Sequence, residues 1–117
     1  MALVTSHTLN GVNGSHADGI VVSLRHLPSN TVLFSQPTQE GGRLSVAVNI
    51  DAHSGDDDYE LVFETDRYWA GNGISEQDRR LMRQIVLRFK MPDAQARYHM
   101  PLIISPHSYS CWWSVPE

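Results

Sequence analysis

Arg97-Tyr98-His99-Met100-Pro101-Leu102-Ile103-Ile104-Ser105-Pro106-His107-Ser108-Tyr109-Ser110 is the stretch whose reading decides the fold. It holds two short runs rich in β-branched and aromatic residues, 98–105 and 108–115, parted by a proline and small polar residues. Such runs between turn residues read as strands. The same rhythm extends toward the N-terminus, in runs 4–9, 20–27, 31–35, 44–50 and 59–65. Between them stand turn signals: Asn10-Gly11 and Asn13-Gly14, Pro28-Ser29-Asn30, Gln36-Pro37 and the polar loop 51–58. Many short strands with frequent turns predict an all-β sandwich or barrel. Parallel pairing is not expected, because parallel strands need long crossovers and only one helix-sized stretch exists.

Two stretches resist a strand reading. Residues 66–72 open on Asp66 and close on glycine, which suits a short helix. Ser75-Glu76-Gln77-Asp78 then resembles a helix N-cap followed by acidic first-turn residues. Leu81, Met82, Ile85, Val86 and Phe89 sit at helical spacing. Ile85, Leu87 and Phe89 also alternate with Val86, Arg88 and Lys90, as in a half-buried strand. The pattern leaves helix and strand both open here. The basic cluster Arg79, Arg80, Arg83, Arg88 and Lys90 reads as a solvated face either way.

At 117 residues and 41% hydrophobic content, the chain is expected to form one domain, residues 1–117, without disulfide or metal staples. A lone cysteine, Cys111, excludes an internal disulfide framework and fits a reducing compartment. Nine basic against thirteen acidic side chains give a net charge of −4, which argues against nucleic-acid binding. No apolar run approaches the ~20 residues of a membrane span. Residues 1–7 carry no basic and apolar regions of a secretory signal, and Val115-Pro116-Glu117 is not a peroxisomal tripeptide. These features lead to the expectation of a cytoplasmic protein that binds neither membrane nor nucleic acid.

Six histidines are many for this length, and imidazole is the natural acid–base group near neutral pH. His7 and His99 fall within strands; His16, His26, His53 and His107 fall in loops or near turns. Any one of them, taken alone, is most simply a surface or satisfied histidine. No two have the spacing of a helical metal pair and no second cysteine exists, so no metal site is expected. Cys111 lacks an adjacent base or a glycine elbow and reads as a small hydrophobe. Gly41-Gly42-Arg43 is too short for a phosphate loop and reads as a hairpin turn. Trp112 and Trp113, as neighbours on one strand, would face opposite sides, leaving at least one exposed.

The opening stretch resembles the penultimate signature of the transthyretin-like proteins, which include the 5-hydroxyisourate hydrolases and transthyretin. Three further blocks agree in order. Ser6-His7-Thr8-Leu9-Asn10 is similar to the family's N-terminal strand, and Thr38-Gln39-Glu40-Gly41-Gly42-Arg43 to its glycine-arginine turn. Tyr59 through Trp69 is similar to the strand that enters its short helix. The resemblance implies an eight-stranded β-sandwich with one short helix, and a strand over residues 84–91. It also implies a homotetramer, a dimer of dimers enclosing a channel that holds the site.

Carried over by motif, the catalytic residues are His7, Arg43 and His99. The family's C-terminal Tyr-Arg-Gly-Ser is absent: Trp112 and Trp113 stand where tyrosine and arginine would be, and Ser114 and Val115 replace glycine and serine. Arg97 replaces the first histidine of the family's His-Tyr-His. Ser110, Trp112, Trp113 and Ser114 are therefore the substrate-binding candidates, in a tail that offers indole stacking in place of a guanidinium. The activity implied is hydrolysis or ring opening of a cyclic amide or related heterocycle, free of metal and cofactor. One imidazole would activate water, the other would orient or donate a proton, and Arg43 would stabilise the oxyanion. Two alternatives stand beside it. One is a diverged enzyme hydrolysing, isomerising or cyclising a bulkier aromatic compound of secondary metabolism. The other is a non-catalytic carrier of an apolar ligand.

Overall fold

A computed structural model describes residues 1–117. In chain order the strands are β1 (Ala2–Asn10), β2 (Val21–His26), β3 (Thr31–Pro37), β4 (Arg43–Val48) and β5 (Asp58–Glu64). Helices α1 (Asp66–Gly71) and α2 (Glu76–Arg79) follow, then β6 (Ile85–Lys90), β7 (Arg97–His99), β8 (Leu102–Ile104) and β9 (Tyr109–Cys111). They form two facing sheets. One contains β4, β1, then β7 and β8 in succession, then β9; the other runs β3-β2-β5-β6. No helix is long and apolar enough to cross a membrane.

Alternation along β1 decides what faces what. Ala2, Val4, Ser6, Thr8 and Asn10 point into the sandwich, while Leu3, Thr5, His7 and Leu9 take the opposite face. Ala2 and Val4 join a core with Val22, Leu24, Tyr59, Leu61, Phe63, Ile85, Leu102 and Ile104, all almost fully buried, and Ser6, Thr8 and Asn10 are buried polar residues on the same face. Each large apolar side chain there contributes roughly 1.5–3 kcal/mol by leaving water. Within the stretch 84–91, residues Ile85–Lys90 form a strand: β6 pairs antiparallel with β5, and Ile85 is buried while Val86 is exposed.

Three sequence expectations are corrected. First, parallel pairing does occur: β1 runs parallel to β7 (Leu3↔Arg97, Thr5↔His99) and to β8 (Thr8↔Leu102, Asn10↔Ile104). The crossover between them is the entire second sheet, so no long helix is needed. Second, the run 98–105 is one strand interrupted at Met100-Pro101, where proline offers no N–H to the ladder. The expected eight strands thus become nine segments, and α2 adds a single turn to the expected short helix. Third, pairing in the run 108–115 ends at Cys111.

Beyond Cys111 the chain leaves the sheet and returns to it. Trp112 N–H reaches the Pro101 carbonyl at 3.4 Å, and Arg97 N–H donates to the Glu117 carbonyl at 2.7 Å. Residues 113–116 span a gap matched by only 98–100, so the tail arches off the sheet edge.

Four of the five basic residues of the cluster are ion-paired, and Arg80 alone remains a solvated, exposed side chain. Arg79 and Arg83 both bridge Asp66, at 2.7 and 3.1 Å, and Arg83 also meets Glu76. Arg88 pairs with Glu60 at 2.9 Å and Lys90 with Asp58 at 2.9 Å. The first set ties the end of α2 to the start of α1.

Candidate active site

His7, Arg43 and His99 come from three adjacent strands. His7 lies opposite Arg43 in the β1–β4 register, and His99 lies opposite Thr5 in the β1–β7 register. Since Thr5 and His7 share a face two residues apart, all three side chains project from the outer face of one sheet. Diagonal neighbours in a sheet sit roughly 7–8 Å apart, a gap that suits a small planar ring between the imidazoles.

Arg43 is aimed by the turn before it. Gly41 and Gly42 adopt φ of +79° and +69°, and Gly42 N–H donates to Asp18 Oδ1 at 2.8 Å. A Cβ at Gly42 would fall 2.3 Å from the Thr8 carbonyl oxygen, so glycine is obligatory there. The expected hairpin turn is a short 3₁₀ turn, Glu40–Gly42, that leads straight into β4.

His99 is held from its Nδ1, which lies 2.7 Å from Thr5 Oγ1. The Thr5 hydroxyl donates to the Tyr98 carbonyl at 3.5 Å and accepts from Arg97 Nε at 3.4 Å. Assigning the Thr5 hydrogen to the Tyr98 carbonyl makes Oγ1 the acceptor of His99 Nδ1–H and leaves the lone pair on Nε2. Burial lowers the His99 pKa, with Arg97, Arg43 and His7 adding to the effect. Burial also lowers that of His7, reinforced by Arg43 and His16 and partly offset by the Gly41 carbonyl. Both rings are therefore neutral at neutral pH, the state a general base needs.

The loop after β1 brings a residue that sequence reasoning passed over. His16 bridges back to Leu9, and its Nδ1 lies 3.2 Å from His7 Nε2 and 2.8 Å from the Gly41 carbonyl. Ala17 N–H donates to the Thr8 carbonyl at 2.9 Å and fixes that return. The two Asn-Gly signals marked the reversal; nothing in the pattern showed its depth. Thr5 was missed likewise, since a strand threonine has no distinguishing signal.

The tail residues divide. Trp113 and Ser114 line a cavity of ≈ 400 Å³ together with His99, Tyr98, Met100 and Phe89. Ser114 also meets Arg97 and His99 in a recess of ≈ 80 Å³. Ser110 pairs with Ile103 and stands exposed on the same outer face as His7. Trp112, 49% exposed, lines neither space, and Trp113 is 72% exposed. Exposed Cys111 is not the buried hydrophobe expected, because the strand ends with it. No three His, Cys, Asp or Glu side chains converge as a metal-binding group.

The HIUase/Transthyretin family model matches residues 4–113. The chain belongs to this family. Among its relatives, 5-hydroxyisourate hydrolase 2 of Rhizobium meliloti is 30% identical over 93% of this chain and 92% of its own. The 5-hydroxyisourate hydrolase of Mesorhizobium japonicum is 32% identical over 93% of this chain and 89% of its own. The solved 5-hydroxyisourate hydrolase of Klebsiella pneumoniae superposes with a TM-score of 0.77 at 22% identity, covering 98% of this chain and 100% of that one. An (S)-allantoin synthase structure gives 0.77 at 24% identity, covering 97% of this chain and 44% of that one. The sandwich is thus the transthyretin-like fold, and the face bearing His7, Arg43 and His99 belongs to a HIUase/Transthyretin family member.

Proposed function

We propose that the protein is a metal-free hydrolase that opens a cyclic amide ring of the 5-hydroxyisourate type. The observation that carries this reading is the shared face of His7, Arg43 and His99, with both imidazoles kept neutral by burial and by neighbouring cations. One imidazole removes a proton from water as it attacks the ring carbonyl. Arg43 binds the oxygen on which negative charge develops, where a fixed cation stabilises the transition state more than the ground state. The other imidazole protonates the departing ring nitrogen. The C–N bond breaks, and the product carries a carboxyl group and a free amide nitrogen.

The same reading includes a homotetramer whose channel covers this face. Ile103, Tyr109, Trp112, Trp113 and Val115 are all exposed in the single chain, more large apolar surface than an isolated subunit is expected to leave on one sheet and its tail. Light scattering at micromolar concentration should report four subunits; a monomer would contradict the enclosed channel.

Absorbance loss of freshly generated 5-hydroxyisourate tests the activity. Wild-type protein should outpace the spontaneous reaction, and His7→Asn or His99→Asn should each lower turnover by ~10²-fold or more, the usual scale of a positioned acid–base group. Near-normal activity in both variants would end the reading.

A specific observation supports a second reading. Trp113 and Ser114 share a largely apolar cavity with His99, which favours a substrate bulkier and more aromatic than a ureide. On that reading His99 and the tail receive a larger heterocycle in a cavity that His7 and Arg43 do not line.

A further inference from the structure

We propose that His16 is a positioning residue that fixes His7 in its Nδ1–H form, so that His99 supplies the general base and His7 the proton donor. The inference rests on the hydrolase reading above and divides the labour between its two imidazoles.

The argument starts from the Gly41 carbonyl, which can only accept. It lies 2.8 Å from His16 Nδ1, so that nitrogen carries a hydrogen. The same N–H also faces His7 Nε2 at 3.2 Å, a shared donor with its longer arm on the imidazole. Two N–H groups do not face each other at this distance, so His7 Nε2 presents its lone pair to His16, while the Gly41 carbonyl, which also holds up the His7 pKa, favours the protonated His7 ring. A neutral His7 then holds its one hydrogen on Nδ1. Its lone pair is engaged, and Nδ1–H is the group left to give a proton or a hydrogen bond. The rings lie 5.0 Å apart at 52°, a tilt that fits an edge contact rather than stacking.

His99 has the opposite arrangement. Its Nδ1–H is spent on Thr5 Oγ1 and its Nε2 is bare. Two neutral histidines thus arrive with complementary faces, a donor and an acceptor, because each is read by an acceptor-only carbonyl at one remove: Gly41 for His7, Tyr98 for His99. Such a pair suits a step in which one ring takes a proton from water through its free lone pair and the other gives a proton to the leaving nitrogen through its free N–H. The charged and titratable groups around His7 are Arg43 on β4, His99 on β7 and His16 itself. Neither of the first two sets its tautomer, because His16 and not Arg43 or His99 is the side chain that hydrogen-bonds the His7 ring.

Nitrogen-15 NMR of the full protein at neutral pH, with histidine labelled, tests the tautomer directly. Wild type should show His7 protonated at Nδ1. His16→Ala should move His7 toward the Nε2–H form that free imidazole prefers, and His16→Asn should restore Nδ1–H, because the asparagine amide can donate to both Gly41 and His7. With 5-hydroxyisourate as the probe, His16→Ala should lower kcat by about 10-fold or more with KM little changed, and His16→Asn should recover most of it. Wild-type His7 found in the Nε2–H form, or unchanged by His16→Ala, would overturn the proposal. So would unaltered kcat in His16→Ala. Wild-type protein without turnover but with the expected His7 tautomers would instead overturn the hydrolase reading and leave the positioning role of His16 supported.

Discussion

The imidazole of His99 is anchored by Thr5, whose Oγ1 lies 2.7 Å from Nδ1 and is itself almost wholly buried. The contact crosses from β1 to β7 in the parallel register and sets the ring's orientation. Thr5→Val keeps the shape and removes the hydroxyl. It leaves His99 Nδ1–H without its partner, at a cost of ~1–3 kcal/mol, and frees the ring to rotate. Turnover should fall by about 10-fold or more with a changed pH profile. An unchanged pH profile and rate would show that Thr5 does no more than fill space.

The depressed pKa values of His7 and His99 set a pH dependence with a definite sign. Unfolded histidine titrates near about 6.5. Below that pH the unfolded chain takes up protons that the folded chain resists, so folding stability is fully present above ~6.5 and declines as pH falls. Activity should follow the same direction, high at neutral pH and lost on the acid side as the imidazoles charge. Denaturant titrations across that range in wild type and in a His7→Asn, His99→Asn double variant check it. The double variant should show a shallower acid decline; an identical decline would refute the assignment.

Gly42 is the turn residue with the least tolerance. Its φ of +69° and the 2.3 Å approach of a built Cβ to the Thr8 carbonyl mean that Gly42→Ala must displace backbone. We expect a loss of roughly 1–3 kcal/mol in chemical denaturation, the scale of strain at such positions. Arg43 follows directly, so activity should fall more than the loss of folded protein explains. Gly14→Ala, where nothing lies within 4 Å of a built Cβ, is the control for the left-handed conformation alone.

The tail supplies the test between substrates. Trp113 and Ser114 meet His99 in the larger cavity and Trp112 does not. Trp113→Arg should therefore weaken binding of an apolar aromatic probe, read by quenching of tryptophan fluorescence, more than Trp112→Tyr does. Replacing 112–115 with Tyr-Arg-Gly-Ser should raise turnover of 5-hydroxyisourate, because a guanidinium gives charge-assisted hydrogen bonds that indole cannot. Efficient turnover by wild type, unimproved by the swap, would show that the tryptophans only pack subunit contacts.

The sequence by itself determined the all-β class, the positions of most strands and a glycine turn ahead of Arg43. Those follow from local alternation and turn chemistry, which act over a few residues. Its four motif blocks also singled out His7, Arg43 and His99. Local pattern left residues 85–90 open between helix and strand; the family resemblance implied a strand, and the antiparallel pairing of β6 with β5 bears it out. Only the tertiary structure showed β1 running parallel to β7 and β8, for the crossover is an entire sheet and leaves no local trace. The partners of the site histidines were likewise out of reach. Thr5 and His99 are 94 residues apart in the chain, and the pairing of His16 with His7 depends on how deeply a loop folds back. Hydrogen bonds of that kind are set by strand register and loop closure, which a linear pattern does not encode.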